Sequence, residues 1–309
     1  MTSPSGPAPV VTVACPVCGS NESVPMHRSA DRWMEVGGTF SFARCTACRQ
    51  VFLRERPPAE EMALYYPEGY IRRGRAPARL RRRMRRHDLA PRVRLAAAQP
   101  GRRLLDIGCA TGDFLAAMRA AGWIVAGVEP APWAAAEASA RGLPVWPTTV
   151  ADAALPTAAF DVATLWDVVE HLDAPGRDLR AIAKSLRPGG RLVATTPVLD
   201  GWEARRYGER WPGWDAPRHL LVFDRDTLSG LLAQCGYRVL FWTWISESYL
   251  ITAMHLSLLA RERLPRPAAD AAWTVLHARP VRLAAAPAFR RLDRAAGGCW
   301  LTVVAEKDG

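Results

Sequence analysis

The sequence predicts an α/β protein: a mostly parallel sheet with helices on both faces, preceded by a small cysteine-rich module. Two observations carry this expectation. From Arg102 onward, short apolar runs alternate with helical patterns, as a βαβ chain requires. Upstream, four of the seven cysteines fall into two tight pairs within the first 50 residues. A third observation concerns what joins the two parts. Between Ile71 and Arg94, eleven arginines face a single acid, Asp88, a net +10 in a chain whose total is +11. The remainder is almost neutral, so the basic character belongs to one segment. With 309 residues, 49% hydrophobic and 23% charged, the chain suits one large domain or two modest ones and excludes collagen-like, coiled-coil and wholly disordered classes.

The paired cysteines come first. Cys15-Pro16-Val17-Cys18 and Cys45-Thr46-Ala47-Cys48 are separated by 26 residues. Two residues between thiolates let a tight turn aim both sulfurs at one point, and two such turns make a closed tetrahedral site suited to Zn²⁺. Two disulfides would instead need an oxidising compartment. The N-terminus has neither a basic stretch nor a long apolar one, so the expected compartment is the cytoplasm. With protein filling all four positions the metal is structural, and it supplies folding free energy that a ribbon of about 40 residues lacks. Residues 37–44 read as a strand after Gly37-Gly38, residues 50–53 as another, and Pro57-Pro58 closes the zinc-ribbon module at 1–58. Cys109, Cys235 and Cys299 sit in apolar surroundings and read as packing residues.

Residues 59–100 read as a connector: a short helix and loop over 60–70, with Tyr65, Tyr66 and Tyr70 packing against the next domain, then the arginine-rich segment. Residues 79–94 have helical character, interrupted at Pro91. Three readings stay open for 71–94: a solvated linker, a patch for an anionic substrate or membrane surface, and a grip on nucleic acid. The longest nearly charge-free apolar run, Tyr249–Ala260, has 12 residues and is too short to span a bilayer.

The domain at 101–309 begins with the strand Arg103–Ile107 running into Gly108-Cys109-Ala110-Thr111-Gly112. A helix over 113–121, a strand over 123–128 ending at Glu129, a helix over 132–141 and a short strand over 144–146 follow. Phe160–Trp166 is a buried strand. A helix over 178–186 stops at Arg187-Pro188-Gly189-Gly190, and 192–196 and 237–244 are the next strands. Between 246 and 298 lies an insert of helices broken by Pro265, Pro267, Pro280 and Pro287, apolar enough for a lid or for contact with lipid.

Which ligand does the glycine loop serve? A dinucleotide fingerprint needs G-x-G-x-x-G, but from Gly108 the third and sixth positions are Ala110 and Asp113, and an aspartate at the helix start repels a pyrophosphate. The pattern is instead Asp106-x-Gly108-x-Ala110-x-Gly112, with Glu129 at the next strand end. It fits a cationic, amino-acid-bearing nucleoside: Gly108 lets backbone approach, and Glu129 takes both ribose hydroxyls. That ligand is S-adenosylmethionine.

Three stretches then carry a family resemblance: Leu104–Phe114, Phe160-Asp161-Val162 running to Asp167-Val168-Val169-Glu170-His171-Leu172, and Leu186-Arg187-Pro188-Gly189-Gly190. They resemble the class I S-adenosylmethionine-dependent methyltransferases, nearest the branch of ubiquinone-biosynthesis O-methyltransferases and sugar methyltransferases. The match covers roughly 101–244, and 299–306 is similar to the family's last, antiparallel strand. The resemblance implies a Rossmann-like seven-stranded sheet and cofactor contacts at Asp106, Gly108, Cys109, Gly112, Glu129, Asp152 and Asp167. Ala110 departs from the family's usual glycine. Asp167 and His171 either face the ligand or cap the next helix. His219, in the loop after the fifth strand, is the candidate general base and His171 the alternative. In the resembled sugar methyltransferases a histidine in that loop is associated with proton removal, and the aromatic residues around it here (Trp211, Trp214, Phe223) are placed to close over an acceptor.

Two functions are carried forward. The first is methyl transfer to a small-molecule acceptor (sugar, nucleotide sugar, glycolipid or quinone-like), anionic or lipid-linked, with residues 71–94 giving peripheral membrane contact. The alternative is an RNA methyltransferase, because a zinc ribbon also precedes the class I domain in a ribosomal-RNA guanine methyltransferase family. The run Asp167–Leu172 and the knuckle spacing favour the first.

Overall fold

The computed structural model describes residues 9–66, 89–244, 248–298 and 300–308. Most of the arginine-rich segment, Tyr70 and Cys299 lie outside the described residues. Residues 89–97 are helical. The strands in chain order are β1 (Val11–Thr12), β2 (Ser23–Ala30), β3 (Thr39–Cys45), β4 (Val51–Arg56), β5 (Arg103–Ile107) and β6 (Ile124–Val128). They continue with β7 (Val145–Trp146), β8 (Phe160–Trp166), β9 (Leu186–Pro197), β10 (Leu221–Val222), β11 (Tyr237–Thr243) and β12 (Trp300–Lys307). Compactness divides the chain into two units whose segments interleave. The first takes Met1–Tyr65, Pro197–Thr227 and Trp244–Leu301; the second takes Tyr66–Thr196, Leu228–Thr243 and Thr302–Gly309.

In the second unit seven strands run in the order β11-β12-β9-β8-β5-β6-β7. Pairs β5–β6, β5–β8, β6–β7 and β8–β9 are parallel, and β11–β12 is antiparallel. Every residue of β8 is buried, as a central strand covered on both faces should be. The helix Asp113–Ala120 buries Phe114, Leu115 and Met118, and Pro175–Ser185 buries Leu179 and Ile182. The expected strands appear within a residue or two, with one difference. Arg187-Pro188-Gly189-Gly190 does not lie outside the strand: pairing jumps from Phe160↔Leu186 to Val162↔Arg191, so these four residues bulge from the start of β9.

The first unit holds a five-stranded sheet, order β1-β4-β3-β2, with β10 also pairing β4 through Leu221↔Phe52 and Val222↔Val51. Its core explains how so small a module is built. Phe40, Phe42, Val51 and Leu53 pack in one cluster with Trp211, Trp214, Val222 and Ile251, residues contributed from later in the chain. Tyr65 belongs to this cluster, edge-on to Phe40 at 5.8 Å, so it serves the core of its own unit rather than the next domain. The insert forms three helices, Ser248–Arg263, Arg266–Leu276 and Arg279–Ala296. Pro265, Pro267 and Pro280 stand at helix starts, where a missing N–H costs nothing. Pro287, expected to break a helix, lies inside the last one. It sits on the exposed side, while Ala286 and Asp293 anchor the buried side. Among the described residues no helix is long and apolar enough to cross a membrane.

Candidate functional site

The glycine loop is built by β5 and closed by β6. Gly108 and Cys109 donate their N–H groups to the carbonyl of Val128, at 2.8 and 3.1 Å, folding the loop back over the neighbouring strand. Glu129 completes the closure: Oε2 accepts from Ala110 N–H and Oε1 from Ala131 N–H, both at 2.8 Å. The turn needs left-handed backbone at Gly108, with φ 68°, where a Cβ would meet Val168 Cγ2 at 2.6 Å. Ala110 also adopts positive φ, 47°, which explains why glycine is usual there; alanine tolerates it at a cost of about 1 kcal/mol. Cys109 is buried and reads as packing, and Asp113 at the helix start is paired with Arg141 at 2.8 Å.

Asp106 lies beneath the loop, 2% exposed, and accepts 2.6 Å from the Thr164 hydroxyl. The parallel register sets Asp106 opposite Thr164 on β8, so the pair follows from strand alignment. Burial pushes Asp106 up to about 7, against the pull of the Thr164 hydrogen bond. Glu129 is also raised by burial, with the Ala131 and Ala110 amides opposing. Asp152 is exposed, and among the described residues its carboxylate bonds locally, accepting 2.7 Å from Thr149 Oγ1.

Beyond the carboxyl end of β8, Asp167 takes φ 59° and donates its N–H to Thr195 O. Its carboxylate pairs with Arg92 at 2.6 Å, and that guanidinium also lies over the Trp166 ring, 5.3 Å from its centroid. Arg92 comes from the arginine-rich segment; its charge is committed within the fold rather than offered to solvent. Glu170 is fully buried, accepts 3.0 Å from Thr196 Oγ1, and has its pKa driven well up by burial. His171 Nδ1 lies 3.1 Å from the Tyr66 hydroxyl.

In the first unit the four cysteines converge. Their sulfurs all lie within 4.8 Å of one another, with Cys15–Cys48 at 3.6 Å and Cys18–Cys45 at 3.5 Å. A tetrahedral ion with metal–sulfur bonds of about 2.3 Å sets sulfurs about 3.8 Å apart, so the donor set fits Zn²⁺. A disulfide, at about 2.05 Å, does not fit. Both knuckles use the same hydrogen bonds. Gly19 N–H returns to Cys15 O and Arg49 N–H to Cys45 O, each donor residue at positive φ. Burial works against ionising Cys45, but the Cys48 and Ala47 amides outweigh it and bring the thiol down to about 7.

His219 is also in the first unit. It is 5% exposed, and its Nδ1 lies 2.8 Å from Gly213 O. A carbonyl only accepts, so Nδ1 carries the proton and Nε2 is the basic nitrogen of the neutral ring. Neighbouring Arg218 is wholly buried, donating to Asp31 at 2.7 Å, both oxygens of Asp215 and the Tyr65 carbonyl. That clamp fixes the loop that carries the histidine. Trp211, Trp214 and Phe223 are core residues here, which corrects the expectation that they form a movable cover.

A family model described as a methyltransferase domain matches residues 80–240, just over half of the chain. The chain belongs to that family. A ubiquinone biosynthesis O-methyltransferase from Caulobacter sp. (strain K31) is 38% identical over 103 residues, covering 31% of this chain and 41% of the relative. A tRNA U34 carboxymethyltransferase from Methylococcus capsulatus is 31% identical over 169 residues, half of each protein. The chain thus spans half or less of the length of these curated relatives. Among solved structures, a SAM-dependent methyltransferase from Archaeoglobus fulgidus is similar, with a TM-score of 0.51 at 18% identity over 80% of this chain and 99% of that one. This likeness concerns fold: the class I methyltransferase sheet, with its last strand antiparallel, is the one found here.

The methyltransferase domain therefore brings Asp106 of β5 and Glu129 after β6 to either side of the loop carrying Gly108, Cys109 and Gly112, with Asp167 and His171 beyond the end of β8. Asp152 stands apart as an exposed loop residue. Two residues beside these, Thr164 and Arg92, were not singled out in the sequence, whereas Tyr66, expected to pack against this domain, meets His171. Only Thr164 carried a signal, as the polar residue in an otherwise apolar buried strand.

Proposed function

We propose that the protein transfers a methyl group from S-adenosylmethionine to a hydroxyl or carbon atom of a small-molecule acceptor, and that its four-cysteine cluster holds a structural zinc ion. The observation that carries the reading is the loop between Asp106 and Glu129, where two buried carboxylates flank a backbone too tight for a side chain at Gly108. Bound there, the cofactor supplies an electrophilic sulfonium methyl. Asp106 balances the positive charge of its amino-acid end, and Glu129 accepts from ribose hydroxyls while anchoring the loop. His219, held in one tautomer, accepts the acceptor's proton. The domain's remaining work is alignment and exclusion of water. Arg92, paired to Asp167, orients the segment entering the domain.

The run Asp167–Leu172 resembles the small-molecule branch and favours such an acceptor. The tRNA-modifying relative and the arginine-rich segment support the alternative, an RNA substrate. Incubation with methyl-labelled cofactor and either quinone-like phenols and nucleotide sugars or total tRNA and rRNA separates the two. Label is expected in the small molecules; label confined to RNA would select the alternative.

Glu129→Ala should weaken S-adenosylmethionine binding by on the order of 2–4 kcal/mol, roughly 30- to 1000-fold, because two charge-assisted hydrogen bonds and the loop anchor are lost together. Titration calorimetry checks this, and equal affinities would reject the ribose assignment.

A pH dependence follows from Asp106. The cationic cofactor selects the ionised carboxylate, so affinity should fall about tenfold per unit as pH drops below the group's value of about 7, and level off above it. Folding responds with the opposite sign. The buried acid holds its proton up to about 7, whereas the unfolded one loses it near 3.8, so this group's contribution to stability falls as pH rises between those values. Asp106→Asn should flatten the affinity profile; a flat wild-type profile would contradict the assignment.

A further inference from the structure

The first unit contains a cavity that plays no part in the methyl-transfer chemistry above. Its volume is about 400 Å³, and it is lined by His27, Arg28, Ser29 and Ala30 of β2, by Arg32, and by Tyr207, Glu209 and Arg210. That volume lies within the usual range for small-molecule sites and suits a ligand the size of a sugar phosphate or nucleotide.

Three guanidinium groups converge on the cavity. Arg32 is held rigidly, with Nε and Nη2 on Glu262 Oε1 at 3.1 and 2.6 Å and Nη1 on the Arg210 carbonyl at 3.1 Å. Arg210 shares the same glutamate at 3.6 Å. Arg28, on the edge strand β2, has no ion-pair partner among the described residues. One carboxylate thus serves two arginines while the third stays uncompensated; the other acid of the wall, Glu209, is 83% exposed and lies 3.9 Å from His27.

His27 supplies an independent indication. Its side chain is nine-tenths buried, stacked on Phe42 with the rings 6° from parallel and packed against Trp214 at 5.2 Å. Its Nε2 is buried with no hydrogen-bond partner. A buried ring nitrogen with no partner is costly, and a ligand oxygen in the cavity that this residue lines relieves that cost. Forked guanidinium donors match the oxygens of a phosphate, which accepts several such bonds at once.

We propose that this cavity binds the phosphate or diphosphate group of a small polar molecule through Arg28, Arg32, Arg210 and His27. The inference stands apart from the methyl-transfer reading, since none of the residues lining the cavity is given a role in that reading. Titration calorimetry of the full-length protein with uridine diphosphate and with inorganic phosphate tests it. Saturable binding is expected for at least one probe, weakened tenfold or more in Arg28→Glu and several-fold in His27→Phe, which keeps the ring stack but removes the nitrogen. Phosphate competing fully with the nucleotide would identify free phosphate as the ligand; a response to the nucleotide alone would identify a phosphorylated organic molecule. Unchanged zinc content and melting temperature in Arg28→Glu verify that the unit is intact. Absence of saturable binding of either probe, or affinity unchanged in an intact Arg28→Glu, overturns the proposal. Failure here leaves S-adenosylmethionine binding, measured on the same samples, as a separate result.

Discussion

Purified protein is expected to carry about one zinc ion per chain, and Cys15→Ser is expected to lose it together with the order of the two knuckles. The four sulfurs lie within 4.8 Å of one another in a site with no position left for a water or substrate, so the metal's role is to hold structure. Structural zinc in zinc-finger peptides contributes on the order of 10 kcal/mol at neutral pH, comparable to the whole stability of an ordinary domain. The effect here falls on the turns Cys15–Cys18 and Cys45–Cys48, because the strands between them have a second source of stability. Phe40, Phe42, Val51 and Leu53 are packed against Trp211, Trp214 and Ile251, an apolar cluster that does not depend on the metal. A chelator should therefore lower the melting temperature sharply and open the knuckles to thiol reagents, while part of the aromatic core persists. Elemental analysis and thiol labelling check both halves. Metal-free protein with protected cysteines and an unchanged melting temperature would refute the zinc assignment.

The same packing shows which parts of the molecule were legible in the sequence. The parallel sheet was, because β5, β6 and β8 are buried and their apolar runs are continuous; β8 shows no exposed position at all. The glycine loop was too, since its residues are contiguous between one strand end and one helix start. Edge and tertiary features were not. β2, Ser-Val-Pro-Met-His-Arg-Ser-Ala, is polar and carries Pro25, which is tolerable because, among the described residues, this strand ends the sheet. β1 and β10 have two residues each and exist only as partners of β4. Pro287 reads as a helix breaker, yet tertiary anchoring on both sides of it holds the helix together. The ion pairs that shape the sites join residues 75 and 187 positions apart, Arg92 to Asp167 and Arg218 to Asp31, and no local pattern encodes such pairs. Composition marked the arginine segment as a block of like charge; the fold commits Arg92 individually.

His219→Ala is expected to lower kcat by about 10²–10⁴-fold while leaving S-adenosylmethionine affinity nearly unchanged. The argument rests on how the ring is held. Gly213 O fixes the proton on Nδ1, which leaves Nε2 as the base, and the clamp of Arg218 on Asp31 and Asp215 fixes the backbone that carries the ring. The imidazole is 5% exposed, so it is not a solvated loop side chain. A general base must accept at a nitrogen that carries no proton, and the Gly213 contact leaves Nε2 for that task. The control separates chemistry from structure. Arg218→Lys keeps a charge but loses the forked contact with two carboxylates, so it should disturb the loop and the melting temperature together. His219→Ala should instead cost only about 1–2 kcal/mol of stability, the ordinary loss for one hydrogen bond and some packing. His219→Gln offers a further discriminator, since it preserves polarity but accepts no proton near neutral pH, and it should be as slow as the alanine variant. If His219→Ala keeps more than about a third of the wild-type kcat, far above what loss of a general base allows, His219 is not the base. His171, held by Tyr66 in the second unit, then becomes the residue to replace.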